Sequence, residues 1–200
     1  MKIIVIGGNG TIGSSVVKEL EQRHEVLIAC RHGRDLICDI GSEPSLRALF
    51  AKAGKVDAVI VTTGTTHWEE LSKMSAEKYQ IGLSSKLMGQ VNTVLIGTEY
   101  LNDGGSFTLT SGILNCDPIK AGSSAAMVNG ALEGFIKSAA LELPRGLRIN
   151  VISPTVIEES MPKFAPFFRG YQPVPAAIAA LAYSKSVEGL QTGQVYRVGY

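Results

Sequence analysis

The chain has 200 residues, of which 45% are hydrophobic and 18% charged. That is the length of one domain, expected over 1–200, and enough to bury about two-thirds of the unfolded surface in one core. Nineteen basic residues against 18 acidic ones leave a net charge of +1, which argues against a nucleic-acid binder, a polybasic membrane binder and a disordered chain.

The elements follow in chain order. Ile3–Ile6 is a continuous apolar run, the pattern of a strand buried on both faces. A helix over 11–23 follows, with Ile12, Val16, Val17 and Leu20 on one face. Strands are expected at Val26–Ala29, at Leu36–Cys38 and at Ala58–Val61, with a short helix at Ser45–Ala53 between the last two. A long, mostly polar helical region spans 70–101, and a strand covers Ser106–Thr110. The strongest helix is 122–143, with a stripe of Leu132, Phe135, Ile136, Ala139 and Leu143, stopped by Pro144. A strand at Leu147–Ser153, an Ala-rich helix at 174–184 and a strand at Val195–Val198 complete the chain. This alternation predicts an α/β fold, a doubly wound parallel sheet with helices on both faces.

The 22 glycines exceed the usual ~7% and point to tight turns between buried strands. Cysteines at 30, 38 and 116 are odd in number and scattered, so no disulfide framework or metal spacing is expected. The opening apolar run is too short for a secretory signal, and no run approaches the ~20 residues of a membrane span. A soluble, cytoplasmic protein is expected, with no metal, nucleic acid or membrane partner.

Gly7-Gly8-Asn9-Gly10-Thr11-Ile12-Gly13 leaves the first strand and opens the first helix. One glycine makes the tight turn, one admits a pyrophosphate close to the backbone and the last lets helix pack on sheet, while helix amides face the anion. This predicts a dinucleotide site including Gly7, Asn9, Gly10, Thr11, Ile12 and Gly13. The alternative is a turn that has kept its shape without the ligand. The second strand ends in Ala29-Cys30-Arg31-His32-Gly33-Arg34, with no acid for a ribose 2′-hydroxyl. A guanidinium can pair with a 2′-phosphate, so NADP (NADPH) is favoured over NAD, with Arg31 as the contact. The bland reading makes Arg31 and Arg34 surface charges. Asp39 and Ile40 are expected against the adenine.

From Gly7 to Tyr200 the chain resembles the short-chain dehydrogenase/reductase family. The segments that carry the resemblance are the glycine turn, Asp57–Gly64, Ser106–Ser111, Gly130–Phe135 with Ala140–Leu143, Pro144–Pro154 and Thr192–Val195. It implies a Rossmann-type sheet of about seven strands in order 3-2-1-4-5-6-7. It also implies cofactor contacts at Thr63, Gly64, Pro154 and Ile157, with Thr155 standing where the family has a glycine. The family's reductases use a Tyr-x-x-x-Lys pair on the central helix, a serine and often an asparagine. Alignment places Ala125 at the tyrosine, Asn129 at the lysine and a position near Gly82 at the asparagine; only Ser111 remains as a catalytic candidate. The chain resembles a subgroup of undetermined function that lacks the pair.

Alternatives stay open at several residues. Ser111 either orients a substrate carbonyl or bonds a loop. Lys86, one turn beyond Gly82, points to the cleft or is a solvated lysine on a polar helix. His67 is an acid–base substitute or a surface residue. Ser123 and Ser124 read as start residues of the helix. Asn129 is a candidate for bonding a ribose hydroxyl. The aromatic stretch 162–175 is a lid or core packing. Gly130 and Gly134 allow close helix approach, either within the chain or, as the family implies, in a homodimer or homotetramer through the fourth and fifth long helices. The expected function is an NADP(H)-binding oxidoreductase with an altered catalytic set acting on an unknown small-molecule substrate. A non-catalytic NADP(H)-binding sensor or partner-binding protein is the alternative.

Overall fold

The apolar runs pair as seven parallel strands in one sheet. The computed structural model describes residues 1–32 and 35–200, so Arg34 lies outside the described residues. The strands are β1 (Lys2–Ile6), β2 (Glu25–Cys30), β3 (Leu36–Ile37), β4 (Val56–Val61), β5 (Leu101–Thr110), β6 (Arg148–Pro154) and β7 (Val195–Val198). Their order is β3-β2-β1-β4-β5-β6-β7, as the resemblance implies. The register runs Val5 beside Ile28 and Ile60, and Thr108 beside Asn150.

Two apolar layers sandwich the sheet. On one face α1 (Thr11–Leu20) and α7 (Ala176–Glu188) pack Val16, Leu20, Tyr183 and Val187 against Ile3, Val5 and Ile60. On the other, α2 (Glu43–Ala53), α4 (Gly89–Gly97) and α5 (Ser123–Glu142) bring Phe50, Val94, Leu132 and Ile136 onto Ile4, Val59, Phe107 and Val151. A smaller third cluster sits beyond the strand ends. It joins Ile113, Leu114, Ala125, Val156 and Phe168 with partly buried Trp68 and Phe164.

The long polar region expected at 70–101 is not one helix. A 3₁₀ turn (Leu71–Lys73) precedes α3 (Ala76–Gly82), which Ser75 caps by accepting from Lys78 N. Six residues, Leu83–Met88, then wind as a π-helix before α4. The segment ends at Gly97, because Leu101 already pairs with Val56 as the start of β5. Ser123 and Ser124 lie in the first turn of α5 without capping it. Gly122 is the N-cap; Ser123 Oγ bonds Tyr79 O–H at 2.9 Å and Ser124 Oγ is buried without a partner among the described residues.

Candidate functional site

The strand order reverses beside β1, with β2 on one side and β4 on the other, and the C-terminal ends of these strands open a cleft there. Backbone geometry builds the near half. Gly7 leaves β1 with φ +90° and its amide donates to Ala29 O at 2.7 Å. Gly10 N donates back to Gly7 O at 2.9 Å. A Cβ on Gly13 would stand 2.1 Å from Gly7 O, so only glycine fits. No side chain caps α1, so its leading amides face the turn unaided by a cap.

A cavity of about 340 Å³ lies over this turn. Gly7, Asn9, Gly10, Arg31, Asp39, Ile40, Thr63 and Gly64, all expected cofactor contacts, line it. Thr11 is exposed at the start of α1, and Gly13 is buried behind the turn rather than on its surface. Asn9 Nδ2 donates to Cys30 Sγ at 3.0 Å, tying the turn to the end of β2. Asp39 Oδ1 accepts from Gly41 N at 3.0 Å, holding its loop. Burial raises the Cys38 thiol to about 12, so this residue stays a neutral packing group.

The second cavity, about 590 Å³, continues from the first through Thr62–Thr65. Ile12, Ser111, Pro154 and Ile157 line it, together with Ala125 and Asn129. Thr155 takes the family's glycine position without strain: its φ is not positive, its amide donates to Val198 O, and Gly199 makes room for its methyl. The aromatic stretch forms the outer wall. Phe164 at the end of α6 (Met161–Phe164), Phe167 and Phe168 face the cavity, and Trp68 packs on Phe164 at 5.3 Å between ring centroids.

Lys86 overturns the reading of a solvated lysine. It sits in the π-helix and its side chain enters the cavity. Nζ donates to Asn129 Oδ1 at 2.8 Å and to Ser111 O at 3.0 Å. Desolvation, which disfavours the ammonium, lowers it to about 8. Gly64 makes this possible: a Cβ there would stand 2.8 Å from Lys86 Cα and Cγ. Gln90, fully buried, fixes the geometry. Its amide takes Thr110 N at 2.8 Å, gives to Thr110 O at 3.0 Å and gives to Lys86 O at 3.1 Å. The irregular turn is thereby bolted to the end of β5. Gln90 thus adds a side-chain donor to a carbonyl of the π-turn.

The other candidates sort as follows. Ser111 is buried, and its hydroxyl donates to Glu133 Oε1 at 3.2 Å, itself a buried side chain. Asn129 is engaged at both ends, since its Nδ2 also donates to Gly112 O at 3.0 Å. His67 lies off the cavity lining and bonds Glu69, which pairs with Lys78. The cluster holds the Glu69 carboxyl below its usual range, chiefly through Lys78. Gln90, Glu133 and Trp68 were invisible as site residues in the sequence. Nothing in local pattern marks a buried glutamine on a helix or a carboxylate paired to a serine 22 residues earlier. No cluster of three or more metal-ligating side chains occurs among the described residues.

Residues 8–190 match the family model described as enoyl-(acyl carrier protein) reductase. The protein lin1944 from Listeria innocua superposes with a TM-score of 0.98 at 52% identity, covering 99% of each chain. A small-chain dehydrogenase solved in complex with NADPH superposes at 0.88, with 28% identity over 99% of this chain and 96% of that one. A short-chain dehydrogenase/reductase of Stachybotrys chlorohalonatus, ATR9, is 25% identical over 182 residues, 76% of this chain and 72% of that protein. With the strand order, the glycine turn and the cleft at the strand ends, these matches place the chain in the short-chain dehydrogenase/reductase family.

Proposed function

We propose that the cleft binds NADP(H) and that the protein is an oxidoreductase reducing a carbonyl compound with an altered set of catalytic groups. The carrying observation is the continuity of the two cavities, a glycine-built half leading into a lysine-bearing half through Thr62–Thr65. The residues fit the cofactor. The turn is a cradle that a Cβ on Gly13 would fill, the α1 N-terminus suits a pyrophosphate, and Arg31 on the lining suits a 2′-phosphate. When bound, the dinucleotide supplies the hydride. Gly7, Asn9, Gly10 and Thr11 are proposed to hold the pyrophosphate end, Arg31, Asp39 and Ile40 the adenosine end, and Ile12, Thr63, Gly64, Pro154 and Ile157 the nicotinamide end. Ser111 is reassigned from catalysis to positioning: its hydroxyl is committed to Glu133, and its carbonyl holds Lys86.

The absence of tyrosine from α5 favours the non-catalytic alternative, an NADP(H)-binding sensor. Calorimetric titration with NADPH and NADH tests the shared part; saturable binding with NADPH about tenfold tighter is expected, and no binding at millimolar concentration refutes both readings. Oxidation of NADPH by an acceptor then separates them.

A cytoplasmic location and a homodimer or homotetramer complete the proposal. Among the described residues nothing approaches a Cβ on Gly134 within 4 Å, and one on Gly130 would meet only Asn115 at 3.7 Å. Intrachain crowding therefore does not require these glycines. Their face of α5, flanked by exposed Met127 and Leu141, is open to a second copy.

A further inference from the structure

The 590 Å³ cavity has an uneven chemistry. Its outer wall is aromatic, with Trp68, Phe164, Phe167 and Phe168, and among the described residues no carboxylate lines it. Its inner end holds one ammonium, Lys86. Two of that ammonium's three protons go to Asn129 Oδ1 and Ser111 O. The third is left for the cavity, since ammonium carries three donors. Of the neighbouring polar groups, the Ser111 O–H is committed to Glu133, and the Asn129 amide, which gives one N–H to Gly112 O, is not an acid. Lys163, the other lysine on the lining, is exposed on α6 and lies over the Phe164 ring at 5.2 Å.

We propose that Lys86 is the catalytic proton donor of this site, and that its substrate is a planar aromatic carbonyl compound whose ring stacks on the Trp68–Phe164 wall and whose oxygen meets Nζ. This rests on the hydride-transfer reading above and names its substrate class. The balance closes. Hydride from NADPH, oxidised to NADP⁺, forms a C–H bond at the carbonyl carbon, and the C=O π pair moves onto oxygen. The ammonium gives a proton to that oxygen, yielding the alcohol, and the neutral amine regains a proton from water. An ammonium so placed also stabilises the oxyanion as it develops.

The titration supports the role. The groups facing Lys86 are Gly64 from the β4 loop, Ser111 from the β5 end and Asn129 from α5, none of them charged, with Glu133 beyond the Ser111 hydroxyl. Desolvation alone brings the ammonium to about 8. A donor near ambient pH is mostly loaded at pH 7 and still acidic enough to give up its proton. Fixing it in a π-turn strapped by Gln90 removes the freedom of a surface lysine.

The test uses Trp68, the only tryptophan, as reporter. Titration of its fluorescence with 2-naphthaldehyde should give saturable quenching, and with 2-methylnaphthalene weaker quenching. In Lys86→Met the naphthaldehyde affinity should fall about tenfold, with the hydrocarbon unaffected. Turnover of naphthaldehyde with NADPH should fall ~10²–10⁴-fold in that variant. Wild-type turnover should decline above pH 8 as the ammonium deprotonates. Lys86→Arg, which keeps the charge but does not deprotonate, should retain aldehyde binding and lose both rate and that decline. Equal aldehyde affinity in wild type and Lys86→Met, or an unchanged pH profile in either variant, overturns the proposal. So does NADPH binding by calorimetry without reduction of any aromatic aldehyde. Absence of NADPH binding instead removes the hydride-transfer reading on which the proposal stands.

Discussion

The two halves of the cleft are made of different material. The dinucleotide half is backbone: Gly7, Gly10 and Gly13 shape a turn whose donors are amides. The half proposed for the reaction is side chain: Lys86, Asn129, Gln90 and Ser111 from three separate segments converge by hydrogen bonds. A site made of backbone tolerates no added atoms but imposes a spacing that sequence displays. In a side-chain site the same group can arrive from another element, as the ammonium does here from the π-helix rather than from position 129 of α5.

The comparison breaks hardest at Gly13. Gly13→Val adds atoms where a Cβ alone would lie 2.1 Å from Gly7 O. Calorimetry should show no NADPH binding, and thermal unfolding a loss of several degrees. Retained binding would mean the turn can relax and the backbone account is wrong. Gln90→Leu comes next. It keeps the volume but strands Thr110 N, Thr110 O and Lys86 O in the interior. A cost of about 2–4 kcal/mol is expected from the orphaned groups, or a Tm drop of roughly 5–15 °C at this chain length, with aldehyde turnover falling alongside.

Arg31→Ala sharpens the dinucleotide half. Losing a charged hydrogen bond to a 2′-phosphate, ~1.5–3 kcal/mol, should weaken NADPH about 10- to 100-fold while NADH is unchanged. An equal loss for both would make Arg31 a general surface charge. A further effect is on stability against pH. The folded-state pKa of Lys86 lies below its unfolded value of ~10.4. Between about pH 8 and 10 the unfolded chain therefore binds more protons, and stability rises with pH. The Tm difference between wild type and Lys86→Met should move in favour of the wild type across that window. A flat difference would mean that Lys86 titrates normally.

What could be read from the sequence follows the same division. The buried runs Ile3–Ile6 and Ala58–Val61 and the stripe of 122–143 carry the sheet and its largest helix, because burial on both faces leaves no other pattern. The strand order came from resemblance, and the sheet has that order. Between 70 and 101 polarity hid four helical pieces, since hydrophobic period does not distinguish an α-turn from a 3₁₀ or a π-turn. Lys86 looked like any lysine on a polar helix. What makes room for it is Gly64, 22 positions earlier, and what aims it is Asn129, 43 positions later. Neither relation has a local signature. The aromatic run after 162 was legible as a cluster, while Trp68, which packs on it from a distant segment, was not.

Nuclear magnetic resonance of lysine-labelled protein, with Lys86→Arg to assign the Nζ signal, tests the central claim most directly. The account predicts that Lys86 titrates near pH 8, away from the other lysines, and that its signal shifts saturably as NADPH is added. An Nζ that titrates at the ordinary value and ignores NADPH would contradict it, because the ammonium would then belong to solvent and the two halves would not form one site.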